Sequence, residues 1–284
     1  MKRFLHFLAL SLTMLSVVST GFFYVKLRER NQLIDGLIDD VVTSKHLKDR
    51  EQIVISLAQE IYRRTDYRID KKDVDWFTRA IAGSFFNMST AGGLKYGAYA
   101  VAGGPGGSCG TMSRILLNAL WRLEIPARKL QLVKDDLGRS GAHTMIEFYH
   151  HGEWRVCSPS DNGFVWRTKD GEIATVGQIQ HDPTIFSQIY AIQPDYPNRF
   201  DHTLNIRWGK WPNWLVSGIR FVIGEKRFQS METPRLYDQP RLFLLYGSLW
   251  ASALFSFLAF ISRPKRPAGP SDLSVLGGRP LPQS

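Results

Sequence analysis

The chain has 284 residues, 44% hydrophobic and 22% charged, a balance ordinary for one globular domain with extra segments. Its formal charge is +10, and about half of that sits in the tails: Lys2 and Arg3 at one end, and Arg263, Lys265, Arg266 and Arg279 against Asp272 at the other. The remainder is a mild excess with no dense basic run and no nucleic-acid motif, which sets DNA or RNA binding aside and leaves membrane-proximal charge.

In chain order, residues 4–25 form an uncharged run as long as the roughly 20 residues that a bilayer-spanning helix needs. A cleavable signal would carry an apolar region of only ~7–15 residues, whereas this one continues through Phe22, Phe23, Tyr24 and Val25. Residues 1–26 are therefore expected to be a transmembrane anchor. Leu33, Ile34, Leu37, Ile38, Val41 and Val42 then make an amphipathic stripe. Ile53, Val54, Leu57, Ala58 and Ile61 make a second, and Val74, Phe77, Ile81 and Phe85 a third. These predict helices along one flank of a domain, with their charges solvated.

Residues 103–128, GGPGGSCGTMSRILLNALWRLEIPAR, carry more information. Apolar residues at Met112, Ile115, Leu116, Ala119, Leu120 and Leu123 follow a 3.6-residue period, and Pro126 stops the helix. Cys109 falls in the first turn on the same face, behind a glycine-rich loop. Unpaired N–H groups at a helix start favour a thiolate, and a thiolate is the nucleophilic form. Taken alone, such a cysteine is more often a buried structural thiol. The second cysteine, Cys157, raises the further alternative of a Cys109–Cys157 disulfide.

Beyond Pro126 the period changes to two. Residues 129–133 read as a short strand, and Asp135, Asp136, Gly138 and Gly141 as turn chemistry. HTMIEFY, residues 143–149, alternates like a half-buried strand, with His150, His151 and Gly152 as the hairpin turn and residues 154–158 as the return. Helices followed by an antiparallel hairpin make an α+β layout. Residues 163–235 are largely irregular, punctuated by Pro183, Pro194, Pro197 and Pro212. Trp208, Trp211 and Trp214 precede an apolar segment, 215–223, which fits either core packing or rest on a bilayer surface.

A second apolar run, 242–262, is expected to be a transmembrane helix closed by Arg263, Lys265 and Arg266. Lys26, Arg28 and Arg30 blur the orientation of the first span, so the C-terminal flank decides it. Both tails are then cytoplasmic, with 263–284 a basic, disordered tail rich in proline and glycine and 27–235 an extracytoplasmic domain. No metal-ligand spacing occurs among the histidines: His150 and His151 are adjacent in a turn, and His181 and His202 sit beside aspartates in loops. Neither a metal nor a cofactor is expected.

Cys109, His143 on a strand and Asp161 just past the return strand stand in the order of nucleophile, base and orienting acid. The surrounding residues resemble the transglutaminase-like superfamily, papain-like cysteine enzymes. Gly107 through Arg128, ending Leu123-Glu124-Ile125-Pro126-Ala127-Arg128, is similar to the family's cysteine helix with its Gly-Ile-Pro-Ala-Arg ending. His143, Glu147, Tyr149, the Gly152-Glu153-Trp154 turn and Ser158-Pro159-Ser160 are similar to its histidine and Trp…Asp-Pro block. The resemblance covers about residues 100–165 and implies a papain-like domain, a cysteine helix on an antiparallel sheet, held between two membrane helices.

By this resemblance Cys109 is the nucleophile and His143 the base. The family's glycine is Glu124 here and its aspartate is Ser158, so Asp161 is expected to orient the histidine, with Asn162 or Ser158 as alternatives. An aspartate placed at 158 is expected to be tolerated. If Ser158 faces the site, Cys157 faces the core, which disfavours the disulfide.

The function implied is a membrane-anchored cysteine enzyme of a bacterial inner membrane, its domain facing the periplasm. It would cleave or transfer an amide or acyl group through a thioester. Its substrate would be a peptide or other amide-bearing molecule such as a cell-envelope component. Hydrolysis and acyl transfer are both open. The alternative is a non-catalytic binding or scaffolding module of a cell-envelope assembly with a degraded triad.

Overall fold

The structure, a computed structural model, describes residues 2–64, 109–138, 143–236 and 238–264. The third helix expected over 74–85, the glycines at 103–107 and the tail beyond 264 lie outside the described residues. The chain divides into two units, one of Met1–Phe23 with Leu244–Ser284 and the other of Tyr24–Phe243.

Helix α1 (Lys2–Ile38) closes in a π-helical turn, Asp39–Thr43. It runs unbroken past residue 26, because residues 22–38 contain no proline and Lys26 pairs with Glu29 one turn on at 2.9 Å. Helix α2 (Arg50–Arg64) starts where Asp49 accepts the Gln52 N–H at 2.9 Å, an N-cap. Its predicted stripe, Ile53, Val54, Leu57, Ala58 and Ile61, is buried.

Helix α3 (Cys109–Arg122) buries Met112, Ile115, Leu116, Ala119 and Leu120. It ends before Pro126 reaches it. The Ile125 N–H bonds to the Leu120 carbonyl at 2.9 Å and the Glu124 N–H to that of Trp121 at 3.3 Å, with Glu124 left-handed at φ +56°. That is the Schellman arrangement, whose left-handed position favours glycine. Glutamate at 124 therefore carries some backbone strain but leaves the turn intact.

Strands β1 (Ala127–Val133), β2 (His143–His150) and β3 (Glu153–Cys157) follow. The β2–β3 turn holds His151 at φ +48° and Gly152 at φ +84°, the two positive values that match the twist of a tight hairpin. Helices α4 (Val176–His181) and α5 (Pro183–Phe186) lead to β4 (His202–Leu204), which pairs with β1. The sheet has the order β3-β2-β1-β4 and is antiparallel throughout.

One core joins α1, α2 and α3 to Ile146, Phe148 and Cys157 of the sheet. A second places Leu130, Leu132, Met145 and Val156 against Trp166, Ile179, Ile189 and Phe200. Strand β2 is thus buried on both faces, not half-buried. The covering layer is residues 164–200, whose short helices and turns show no long period in sequence.

After β4 come α6 (Asn213–Ile223) and α7 (Glu225–Gln229), packed with Ile206, Trp208, Val216 and Phe228 in a smaller cluster. In the other unit, the first part of α1 lies along α8 (Pro240–Ile261). Ser16 meets Ser252 and Thr20 meets Ser248, each at 3.0 Å, and His6 donates to the Ala259 carbonyl at 2.9 Å. Small residues and hydroxyls at a helix seam suit association where neither side faces water. Both helices are long and apolar enough to cross a membrane.

Candidate active site

Three elements converge on one cleft. Helix α3 presents Cys109 as its first residue, β2 begins with His143, and the 3-10 turn Pro159–Asp161 follows β3. Ser113, one turn along α3 from Cys109, donates to the Thr144 carbonyl at 2.9 Å inside the core, which pins the helix start to the strand start. The turn is held from the other side by α2. At Gly163, φ is +68° and an added Cβ would lie 2.9 Å from Gln59 Cγ and 3.0 Å from its backbone nitrogen. Only glycine satisfies both the dihedral and the closeness.

His143 Nε2 lies 3.0 Å from Asp161 Oδ2 and 3.4 Å from Ser158 Oγ. Ser158 donates to the same carboxylate oxygen at 2.5 Å. The carboxylate accepts from Nε2–H, so the other ring nitrogen, Nδ1, is the one left for sulfur. Cys109 and His143 line the same cleft, and each shifts the titration of the other.

Burial is the largest influence on the Cys109 thiol and pushes its pKa up. The hydrogen bond and charge of His143, followed by hydrogen bonds from Thr144, more than offset it and hold the thiol below its ordinary value. Burial likewise disfavours the His143 cation, but Asp161 and Cys109 raise that group to about 9. The two shifts run in the direction of a thiolate–imidazolium pair: the imidazole favours its charged form, and the thiol gives up its proton more readily than an ordinary one.

The cleft, about 690 Å³, is lined by Cys109, His143, Asp161, Tyr62, Ile192 and Asn198, a size suited to a small molecule or a short peptide segment. Asn162, the alternative orienting group, also lines it, but the hydrogen-bond partners of His143 Nε2 are Asp161, which accepts, and Ser158. Both cysteines are free, and Cys157 is fully buried in the helical core with its thiol pushed up by burial. Among the described residues no group of His, Cys, Asp and Glu could hold a metal ion.

Ser158, one of the alternatives for the orienting group, is bonded into the site through Asp161. One participant had no signal in the sequence. Tyr196, from the irregular stretch, sets its buried ring edge-on to His143 at 6.0 Å and 89°. Only a fold-level contact could reveal it.

No protein-family model matches the sequence, and no curated protein matches it. Among solved structures, a crystal structure of a TGase is similar over 57% of this chain and 38% of its own, at 18% identity and a TM-score of 0.31. The chain thus spans well under half the length of that structure.

Proposed function

We propose that this chain is a membrane-anchored, extracytoplasmic cysteine enzyme of transglutaminase-like type, acting on an amide or related acyl bond. The observation that carries the reading is one cleft lined by Cys109, His143 and Asp161, with Asp161 3.0 Å from His143 Nε2, the thiol held below its ordinary pKa and the imidazole raised to about 9. In the papain-like arrangement we read here, α3 and its cysteine pack on the antiparallel sheet that carries the histidine. Arg263, Lys265 and Arg266 put the C-terminal tail on the cytoplasmic side, and Tyr24–Phe243 then faces the periplasm.

In this mechanism the Cys109 thiolate attacks the substrate carbonyl, and the carbonyl π electrons move to oxygen. The backbone N–H of Cys109, in the first turn of α3, stabilises that oxyanion. His143 gives its Nδ1 proton to the leaving amine as the C–N bond breaks, leaving a thioester on Cys109. His143 then takes a proton from water or from an amine, whose attack releases the acyl group as acid or new amide and frees the sulfur. Asp161 keeps Nε2 protonated throughout, and Ser158 keeps Asp161 turned toward it.

The test is site-selective alkylation at neutral pH, read by peptide mass spectrometry. Cys109 should label rapidly and Cys157 should not. Loss of Cys109 labelling in His143→Ala is the expected result. An unreactive Cys109 in the intact chain would favour the non-catalytic binding module instead.

A further inference from the structure

Helix α6 is apolar on two opposite faces. One packs inward, with Val216 buried against Trp208 and Phe228 and with Ile219 and Ile223 beside it. The other looks out. Trp214 is 75% exposed, Phe221 90% and Val222 80%, and Trp211 is partly exposed just before the helix. Positions 214, 218, 221 and 222 repeat at the helical period, so these side chains share one stripe. Gly218, with open space around it, falls between them.

The charge around the stripe is one-sided. Between 205 and 236 the basic residues are Arg207, Lys210, Arg220, Lys226, Arg227 and Arg235, and the only acids are Glu225 and Glu232. Both acids are already engaged, Glu225 by Arg220 and Glu232 by Arg128, each at 2.9 Å. A tryptophan-bearing apolar stripe rimmed by cations is the composition of a helix lying in a lipid headgroup layer. The chain supplies the reason a bilayer is the occupant. From Gly224 it runs only through residue 239 before α8 begins, so α6 is tethered within roughly 55 Å of an apolar helix of membrane-crossing length. A tether of that length keeps the effective concentration of surface high, so even a weakly binding helix stays engaged.

We propose that α6 is a second, interfacial membrane contact. Trp214, Phe221 and Val222 enter the boundary between headgroups and acyl chains of an anionic bilayer, and Lys226 and Arg227 meet its phosphates. The contact rests on the reading of α1 and α8 as membrane spans. Because α6 belongs to the same unit as Cys109 and His143, it restrains how the cleft turns relative to the surface.

The test is photo-crosslinking of the full chain reconstituted in phosphatidylglycerol–phosphatidylethanolamine vesicles. Benzoylphenylalanine replaces Phe221 or Trp214, both on the exposed stripe and outside the core. Trp250 in α8, 78% exposed, reports on the spans, and Asp136, exposed in a loop, is the aqueous control. Phe221 and Trp214 should yield lipid adducts as Trp250 does, while Asp136 yields none. Lys226→Glu with Arg227→Glu should cut the adducts at 221 several-fold without changing thermal unfolding. Adducts at 250 with none at 214 or 221 would overturn the interfacial contact while leaving the spans standing. Absence at all three would overturn both readings. Crosslinks from 221 to a second copy of the chain would make this face a self-association surface and overturn the lipid assignment.

Discussion

Asp161→Asn is the most informative substitution, because it keeps the shape of the site and removes one charge. Two donors, His143 Nε2 and Ser158 Oγ, share Asp161 Oδ2 at 3.0 and 2.5 Å. With charge centres about 4 Å apart and an effective dielectric constant near 20, the carboxylate stabilises the imidazolium by about 4 kcal/mol, or roughly three pKa units. Losing it returns His143 from about 9 to its ordinary range or below, since burial then acts without its main counterweight. The imidazole becomes neutral at pH 7, and Cys109 loses its cation. The thiol is then left with burial pushing its pKa up and without the cation that holds it down, so alkylation of Cys109 at pH 7 should slow and should recover as pH rises through the thiol range. The assay is the pH profile of iodoacetamide labelling, with buried Cys157 as the internal negative.

Stability should carry the same signature. The folded pKa of His143 is about 9 and its ordinary value 6.5. The pairing therefore stabilises fully below about pH 6.5 and fades as pH rises through about 9. The melting-temperature gap between wild type and Asp161→Asn should be widest near pH 6 and closed at pH 10. Superimposable labelling profiles for the two proteins, with a shifted one for Ser158→Ala, would refute the role given to Asp161.

Three further outcomes follow from the geometry. Ser158→Asp, which sequence alone makes look harmless, sets two carboxylates where a 2.5 Å hydrogen bond now stands; it should cost about 4 kcal/mol or bind a proton at neutral pH, while Ser158→Asp combined with Asp161→Ser should recover labelling. Gly163→Ala should lower stability by about 2–4 kcal/mol in thermal unfolding, because positive φ and contact with Gln59 act together, and Cys109 labelling should fall with it. Glu124→Gly should raise stability by about 0.5–1 kcal/mol by relieving the left-handed residue that caps α3, with no change in labelling.

The sequence exposed the features that are local. A 3.6-residue stripe starting at a cysteine, a hairpin turn near His151–Gly152 (read one residue too long, since His150 still pairs with Glu153) and an alternating strand opening with His143 all depend on neighbours a few positions apart. The Cys109, His143 and Asp161 candidates came from their order together with the flanking resemblance, and the structure sets Asp161 beside His143. What stayed hidden depends on distance along the chain. The layer over the second face of the sheet is assembled from Trp166, Ile189 and Phe200, residues of short helices and turns without a sustained period. Strand β4 has three residues and exists because β1 offers it an edge. Ser158 looked like a deletion from a motif, and only the 3-10 turn after it, which folds Asp161 back, makes it a partner.

One buried cluster bears on how the domain can be handled as a reagent. Lys129 on β1 and Arg114 on α3 both face the carboxylate of Asp238, which is almost wholly buried, two residues before α8 begins. Burial already holds Lys129 below its ordinary pKa. Asn118 reaches the Asp238 carbonyl from α3 at 3.5 Å and accepts from Arg30 of α1 at 3.2 Å. A fragment trimmed at Arg235, the end of the domain expected from sequence, would discard the anion and keep the cations, at a cost of about 3–5 kcal/mol in a domain whose cysteine helix is one of the parties. The shortest useful fragment therefore keeps Asp238, and its cut belongs inside the first turn of α8.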